Sequence, residues 1–198
     1  MKNKKRTMVR SYKELQIFVG IIGILLPFAL LLGNWGLEPS ISQYYYTDMR
    51  NLFVGALCAV SFFMFFYVGY DTVDNWIGNI IGVFALGVAF FPCEGVTRPY
   101  HLISAAIVFI SFGIFAFRFT KSGKIKTAMK IVRNKLYVIC GILIFSSIAA
   151  VGVYVLAGWQ ISYFIYIVET IMLLAFGSSW IVKSKTILGD KDSFFLDD

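Results

Sequence analysis

Six stretches of the chain are almost continuously apolar, and shorter polar segments separate them. They run over 15–33, 51–70, 76–91, 102–119, 136–157 and 163–182. At about 1.5 Å of rise per residue, each crosses or nearly crosses a hydrocarbon core of about 30 Å. The third is the shortest and is expected to sit with little tilt or in a thinned patch of bilayer. The pattern predicts an all-α, polytopic integral membrane protein: one membrane domain over 1–198, built as a six-transmembrane-helix bundle. The first stretch is too long for the apolar region of a signal peptide, and Asn34-Trp35-Gly36 offers no small-x-small cleavage site. It is expected to stay as a span, bent at Pro27, where a backbone donor is missing.

Composition agrees with the pattern. Apolar residues make up 59% of the chain, charged residues 15%, and mean hydropathy is +0.76. Such values exclude a disordered tail, a coiled-coil or collagen-like rod and a secreted disulfide scaffold.

The net charge of +7 raises the question of nucleic acid, but its distribution answers it. Six basic residues lie in the first thirteen positions: Lys2, Lys4, Lys5, Arg6, Arg10 and Lys13. Seven lie between Arg118 and Lys135, and Lys183, Lys185 and Lys191 follow the last apolar stretch. Clustering in alternate loops is the positive-inside signature of a polytopic membrane protein. It predicts cytoplasmic termini, with 34–50, 92–101 and 158–162 facing outward. Trp35 and Trp159 then fall at outer ends and Trp76 and Trp180 at inner ends, where interfacial rings are favoured. The expected location is a bacterial or archaeal cytoplasmic membrane. Lys121, Lys124, Lys126, Lys130, Arg133 and Lys135, with no acidic residue among them, are expected to lie on an anionic inner leaflet. Membrane lipids are thus the expected partners and nucleic acid is not; a homo-oligomer stays open.

The chemistry-bearing residues are few. Cys58, Cys93 and Cys140 form no C-x-x-C pair, and His101 is the only histidine, so no metal set is expected. No phosphate loop or dinucleotide fingerprint is present, and no cofactor is expected. A charge inside a span costs at least ~2.5–3.5 kcal/mol on insertion scales, which singles out Glu169. Ser162, Tyr166 and Glu169 are spaced i, i+4, i+7 and are expected to share one helix face descending from the outer surface. Glu169 is expected either to fix packing through a hydrogen bond or an ion pair with Arg50, or to serve a site.

The outer segment Pro39–Arg50 carries three tyrosines and three hydroxyl residues before Arg50. It reads as an interfacial belt or as a polar lip over a cavity. In the second outer loop, His101 shares a predicted helix face with Ser104 and Ser111. Together these placements define a candidate ligand-binding pocket of Ser42, Tyr46, Arg50, His101, Tyr166 and Glu169. On the inner side, Asp71 and Asp74 are expected to cap the third helix. Gly78, Gly82, Ala85 and Ala89 form a small-residue stripe for close helix packing, whereas Gly20 is expected to tolerate a side chain better.

The stretch Ser40–Gly55 contains Tyr-Tyr-Tyr-Thr-Asp-Met-Arg, and Gly69-Tyr-Asp71 and Ala89-Phe-Phe-Pro92 follow it. This pattern, with a carboxylate in the last span, resembles a group of uncharacterised bacterial six-span membrane proteins over nearly the whole chain. The resemblance implies a fold and no activity. In span count and in the Ile-Ser before the second span the chain also resembles the DRAM-like six-span proteins.

Three function classes remain. The leading one is a membrane protein binding a lipid or small amphiphile in a polar pocket open to the outer leaflet. The second is an intramembrane lipid hydrolase or transferase using Ser42 or Cys93 with His101. In outline it resembles the multi-span ceramidase-type hydrolases, which need several histidines where this chain has one. The third is a small proton-coupled transporter using Glu169.

Overall fold

The computed structural model describes residues 2–121, 127–186 and 188, with side chains from Tyr12 onward. Its helices are α1 (Lys2–Asn34), α2 (Arg50–Phe65), α3 (Thr72–Phe90), α4 (Arg98–Arg118), α5 (Ala128–Leu156) and α6 (Phe164–Lys183). Short 3-10 turns cover Ile41–Tyr46, Gly95–Thr97 and Phe119–Lys121, and no strand occurs among the described residues. Five helices, α1 (from Tyr12), α3, α4, α5 and α6, are long and apolar enough to cross a membrane. The architecture is that of a multi-pass membrane protein, all-α as the apolar pattern predicts.

The second apolar stretch departs from expectation. Its helix, α2, has 16 residues and ends at Phe65 instead of reaching residue 70. The backbone beyond it is bound by side chains. Gly69 N–H donates to Asn75 Oδ1 and Tyr70 N–H to Asp74 Oδ2, both at 2.8 Å, while Val68 O accepts from Tyr12 Oη at 2.8 Å. These groups satisfy two donors and an acceptor that a continued helix would have used, which offsets part of the cost of leaving the helix. Asp71 caps α3 as expected, accepting from Asp74 N–H at 3.0 Å. Helix α5 starts at Ala128, with Thr127 accepting from Lys130 N–H at 3.1 Å, so part of the basic segment is its first turns rather than a loop.

Each helix packs against its neighbours in sequence, and α1 against α6 closes the ring. Helix α4 also touches α6, and α5 packs on both. The closure between α1 and α6 depends on glycine. A Cβ at Gly20 would sit 2.7 Å from Gly177 O, and one at Gly177 would sit 2.5 Å from Gly20 O. Both obstacles are backbone and neither can rotate away. Gly20 therefore has no room for a side chain, contrary to the milder role expected for it. The stripe on α3 packs as predicted: Gly78 lies against Met64 O of α2, and Ala85 and Ala89 have no exposed surface. Ser61 Oγ ties α2 to this stripe by donating to Gly82 O at 2.6 Å.

One tryptophan departs from its expected place. Trp35, Trp76 and Trp159 are exposed, but Trp180 is completely buried. It stands at the centre of Phe63, Tyr67, Phe115, Phe119 and Phe176, whose ring centroids lie 5.0–6.0 Å away. The aromatic packing outweighs the pull of the interface on the indole N–H.

Candidate functional site

The segment between α1 and α2 folds inward instead of lying along the surface. Its 3-10 turn buries Ile41, Ser42 and Tyr44. Three side-chain contacts and one backbone bond hold it. Tyr44 Oη donates to Gly36 O at 2.9 Å, and the Glu169 carboxylate accepts from Ile41 N–H at 2.7 Å. Tyr166 N–H donates to Pro39 O at 3.1 Å, and Cys93 Sγ contacts Ser42 O at 3.5 Å. The start of α6 thus grips the turn twice, through Glu169 and through the backbone of Tyr166.

The gripped turn presents Ser42 to His101. The His101 ring stands at the first turns of α4 and is buried, as are Ser104 and Ser111 on the face predicted for them. His101 Nδ1 lies 2.7 Å from Phe91 O, and Nε2 lies 2.9 Å from Ser42 Oγ. A carbonyl only accepts, so Nδ1 carries the proton and donates to Phe91 O. In the neutral ring Nε2 is then the acceptor, and Ser42 Oγ–H donates to it.

Ser42 and Glu169 are the polar members of a cavity of about 60 Å³ among α1, α2, α3, α4 and α6. The rest of its wall is apolar, with Leu26, Phe53, Val88, Val108 and Leu173 among the lining residues. Phe112 and Phe176 also line it, and they stack across α4 and α6 with centroids 3.7 Å apart. Phe176 lies about 10 Å along α6 from Glu169 at helical rise, and the Trp180 cluster follows one turn later. The cavity therefore has a polar head at the 3-10 turn and an apolar interior that ends against stacked rings.

Of the six residues proposed for the pocket, Ser42 and Glu169 line this head, and His101 stands behind Ser42. Tyr166 is buried close by, its ring 6.3 Å from that of Tyr44, with Oη donating to Pro27 O at 2.9 Å. Arg50 and Tyr46 stand apart, on an exposed surface depression with Asn34, Tyr45, Thr47 and Asp48. The expected Glu169–Arg50 ion pair is not formed. Arg50 donates to Tyr45 Oη at 2.5 Å and lies over the Tyr45 ring at 4.2 Å, while a backbone amide satisfies the carboxylate. Tyr46 Oη accepts from Glu94 N–H at 3.1 Å. Ser162 also drops out of its predicted face: α6 begins only at Phe164, after Tyr163 in the left-handed conformation, and Ser162 is exposed.

Cys93, the other candidate nucleophile, makes no bond to His101. Burial, with Glu94 adding to it, pushes its thiol up to about 11, which leaves very little thiolate at neutral pH. No group of three or more metal-ligating side chains occurs among the described residues.

Lys121 and Lys135 are exposed and Lys130 half-buried, whereas Lys124 and Lys126 lie outside the described residues. Arg133 does not face a lipid surface. It is 3% exposed and donates to Leu188 O at 2.5 Å, because helical phase turns it toward the bundle.

Sequence reasoning missed three contributors: the Ile41 amide, the Phe91 carbonyl and the buried Tyr44. The first two are backbone groups and leave no trace in residue identity. Tyr44 looks no different in sequence from its neighbours Tyr45 and Tyr46. No family model, curated protein or solved structure matches the chain.

Proposed function

We propose that the protein is a six-span membrane protein that binds a single-chain amphiphile, its tail in the apolar cavity and its head at Ser42 and Glu169. The observation that carries this reading is the cavity itself, which is apolar along its length and polar at one end only. Small-ligand sites combine such walls with a few convergent polar groups. The sixth span is α2, about 24 Å long at helical rise, crossing with its flanking turns. The basic residues of the N-terminus, the 118–135 segment and the C-terminus face the cytoplasm, so the polar head opens toward the outer leaflet.

Saturable binding of a short-chain fatty acid to the purified protein, read by titration calorimetry, tests the pocket. Ala105→Phe, which places a ring in the cavity, is expected to weaken binding at least ~10-fold while the protein still melts cooperatively. Equal binding by this variant would remove the cavity as the site. The orientation is tested with single cysteines at Lys121 and Gln160 in a cysteine-free variant. An impermeant thiol reagent should reach position 160 in intact cells; labelling of position 121 instead would reverse the topology.

A further inference from the structure

We infer that Ser42 and His101 form a nucleophile–base pair that cleaves an acyl ester whose chain lies in the cavity. The inference rests on the amphiphile-binding reading of this cavity and adds a reaction to it.

The geometry has the parts that activate a serine. Ser42 Oγ is 2.9 Å from His101 Nε2, within the reach required of a nucleophile and its base. The base is oriented in turn: Phe91 O, 2.7 Å from Nδ1, fixes the tautomer that leaves Nε2 free to take a proton. The serine is held on a short turn that α6 fastens at Ile41 and Pro39, so its hydroxyl has a fixed place. Its residue also lines the cavity, where an acyl carbonyl would arrive. His101 and Ser42 are 3% and 7% exposed, so water scarcely competes for the pair. The cavity volume of about 60 Å³ corresponds to roughly four to six water-sized groups, which selects a short acyl segment.

The chemistry balances as an ester hydrolysis. Ser42 Oγ bonds to the acyl carbon as its proton passes to His101 Nε2. The tetrahedral adduct collapses, the C–O bond to the alcohol breaks, and the leaving oxygen takes the proton from Nε2. Water then attacks the acyl-serine, again giving a proton to His101. The bond to Oγ breaks, the proton returns to it, and the carboxylic acid leaves. An alcohol acceptor in place of water would make the same sequence an acyl transfer.

The test uses the full-length protein in detergent and a short-chain alkyl fluorophosphonate, with the adduct located by peptide mapping. One adduct, at Ser42, is expected in the wild-type protein. His101→Gln should slow its formation at least ~100-fold, the contribution typical of a positioned base. Short-chain fatty-acid binding is measured on the same samples. Wild-type protein that binds the fatty acid but forms no adduct at Ser42 overturns the reaction and leaves the binding site standing. Protein that does neither overturns both. An unchanged labelling rate in a folded His101→Gln variant removes the base and with it the pair. Should that variant fail to fold, the presence or absence of the Ser42 adduct in wild-type protein decides the matter.

Discussion

The two ends of the bundle solve the same problem in opposite ways. Each buries polar side chains between α4, α6 and a loop. At the head of the cavity they are linked by hydrogen bonds without a paired charge: Ser42 to His101, His101 to a carbonyl, Glu169 to an amide. At the other end one guanidinium is matched to two carboxylates. Arg118 Nε pairs with Asp74, which has no exposed surface, and Arg118 Nη2 pairs with Asp71 at 2.5 Å. The Asp74 amide, followed by the Arg118 guanidinium, holds the Asp71 carboxyl below its usual range. The Lys183 ammonium, 8% exposed, lies 4.0 Å from the Tyr70 ring centroid and 3.9 Å from that of Phe119. The Tyr67 ring centroid lies 5.3 Å from it, and Tyr67 and Phe119 pack in turn on Phe115 and Trp180. One end is a charged and aromatic seal. The other places Ser42 and Glu169, both hydrogen-bonded, at the wall of an apolar space.

Breaking the seal should cost the most. Asp74→Ala leaves the Arg118 guanidinium partly buried without its inner partner and removes the acceptor of Tyr70 N–H. Loss of one partner of a buried pair costs about 3–5 kcal/mol, so the detergent-solubilised protein should melt far below wild type or lose its monodisperse peak. An unchanged melting temperature would mean that the pair does not hold this end together.

At the head the expected loss is smaller and depends on the replacement. Glu169→Ala leaves the Ile41 amide, on a residue 4% exposed, without an acceptor, which costs about 1–3 kcal/mol. Glu169→Gln keeps a carbonyl oxygen there and should melt within about 1 kcal/mol of wild type. A Gln variant as unstable as the Ala variant would show that the charge, not the acceptor, holds the turn. The contrast between the two ends would then disappear.

Much of the frame was legible in the residues. The long apolar stretches, the Asp71 cap, the α3 stripe and the common face of His101, Ser104 and Ser111 follow from periodicity and local chemistry. What escaped depends on contacts far apart in the chain. Asp74 and Arg118 are 44 positions apart, and Ile41 and Glu169 are 128 apart. Trp180 closes an apolar run beside a lysine, the same local pattern whether the indole meets lipid headgroups or a ring cluster. Arg50 was paired with Glu169 by depth alone, but a tyrosine five positions away offered its guanidinium both a hydroxyl and a ring face. Helix α2 was read too long because residues 66–70 are as apolar as a span, while the side chains that bind their backbone lie on α1 and α3.

The α1–α6 closure has a consequence for biogenesis. A membrane protein leaves the ribosome from its N-terminus, and here α1 finds its principal partner in α6, made much later. Until α6 arrives, the glycine groove around Gly20 is unfilled, the Ile41 amide lacks its carboxylate, and the chamber lacks the wall of Glu169, Leu173 and Phe176. Insertion of the final segment completes all three at once. A nascent chain stalled before α6 therefore holds no finished pocket, and the chamber comes into being only when α6 reaches α1.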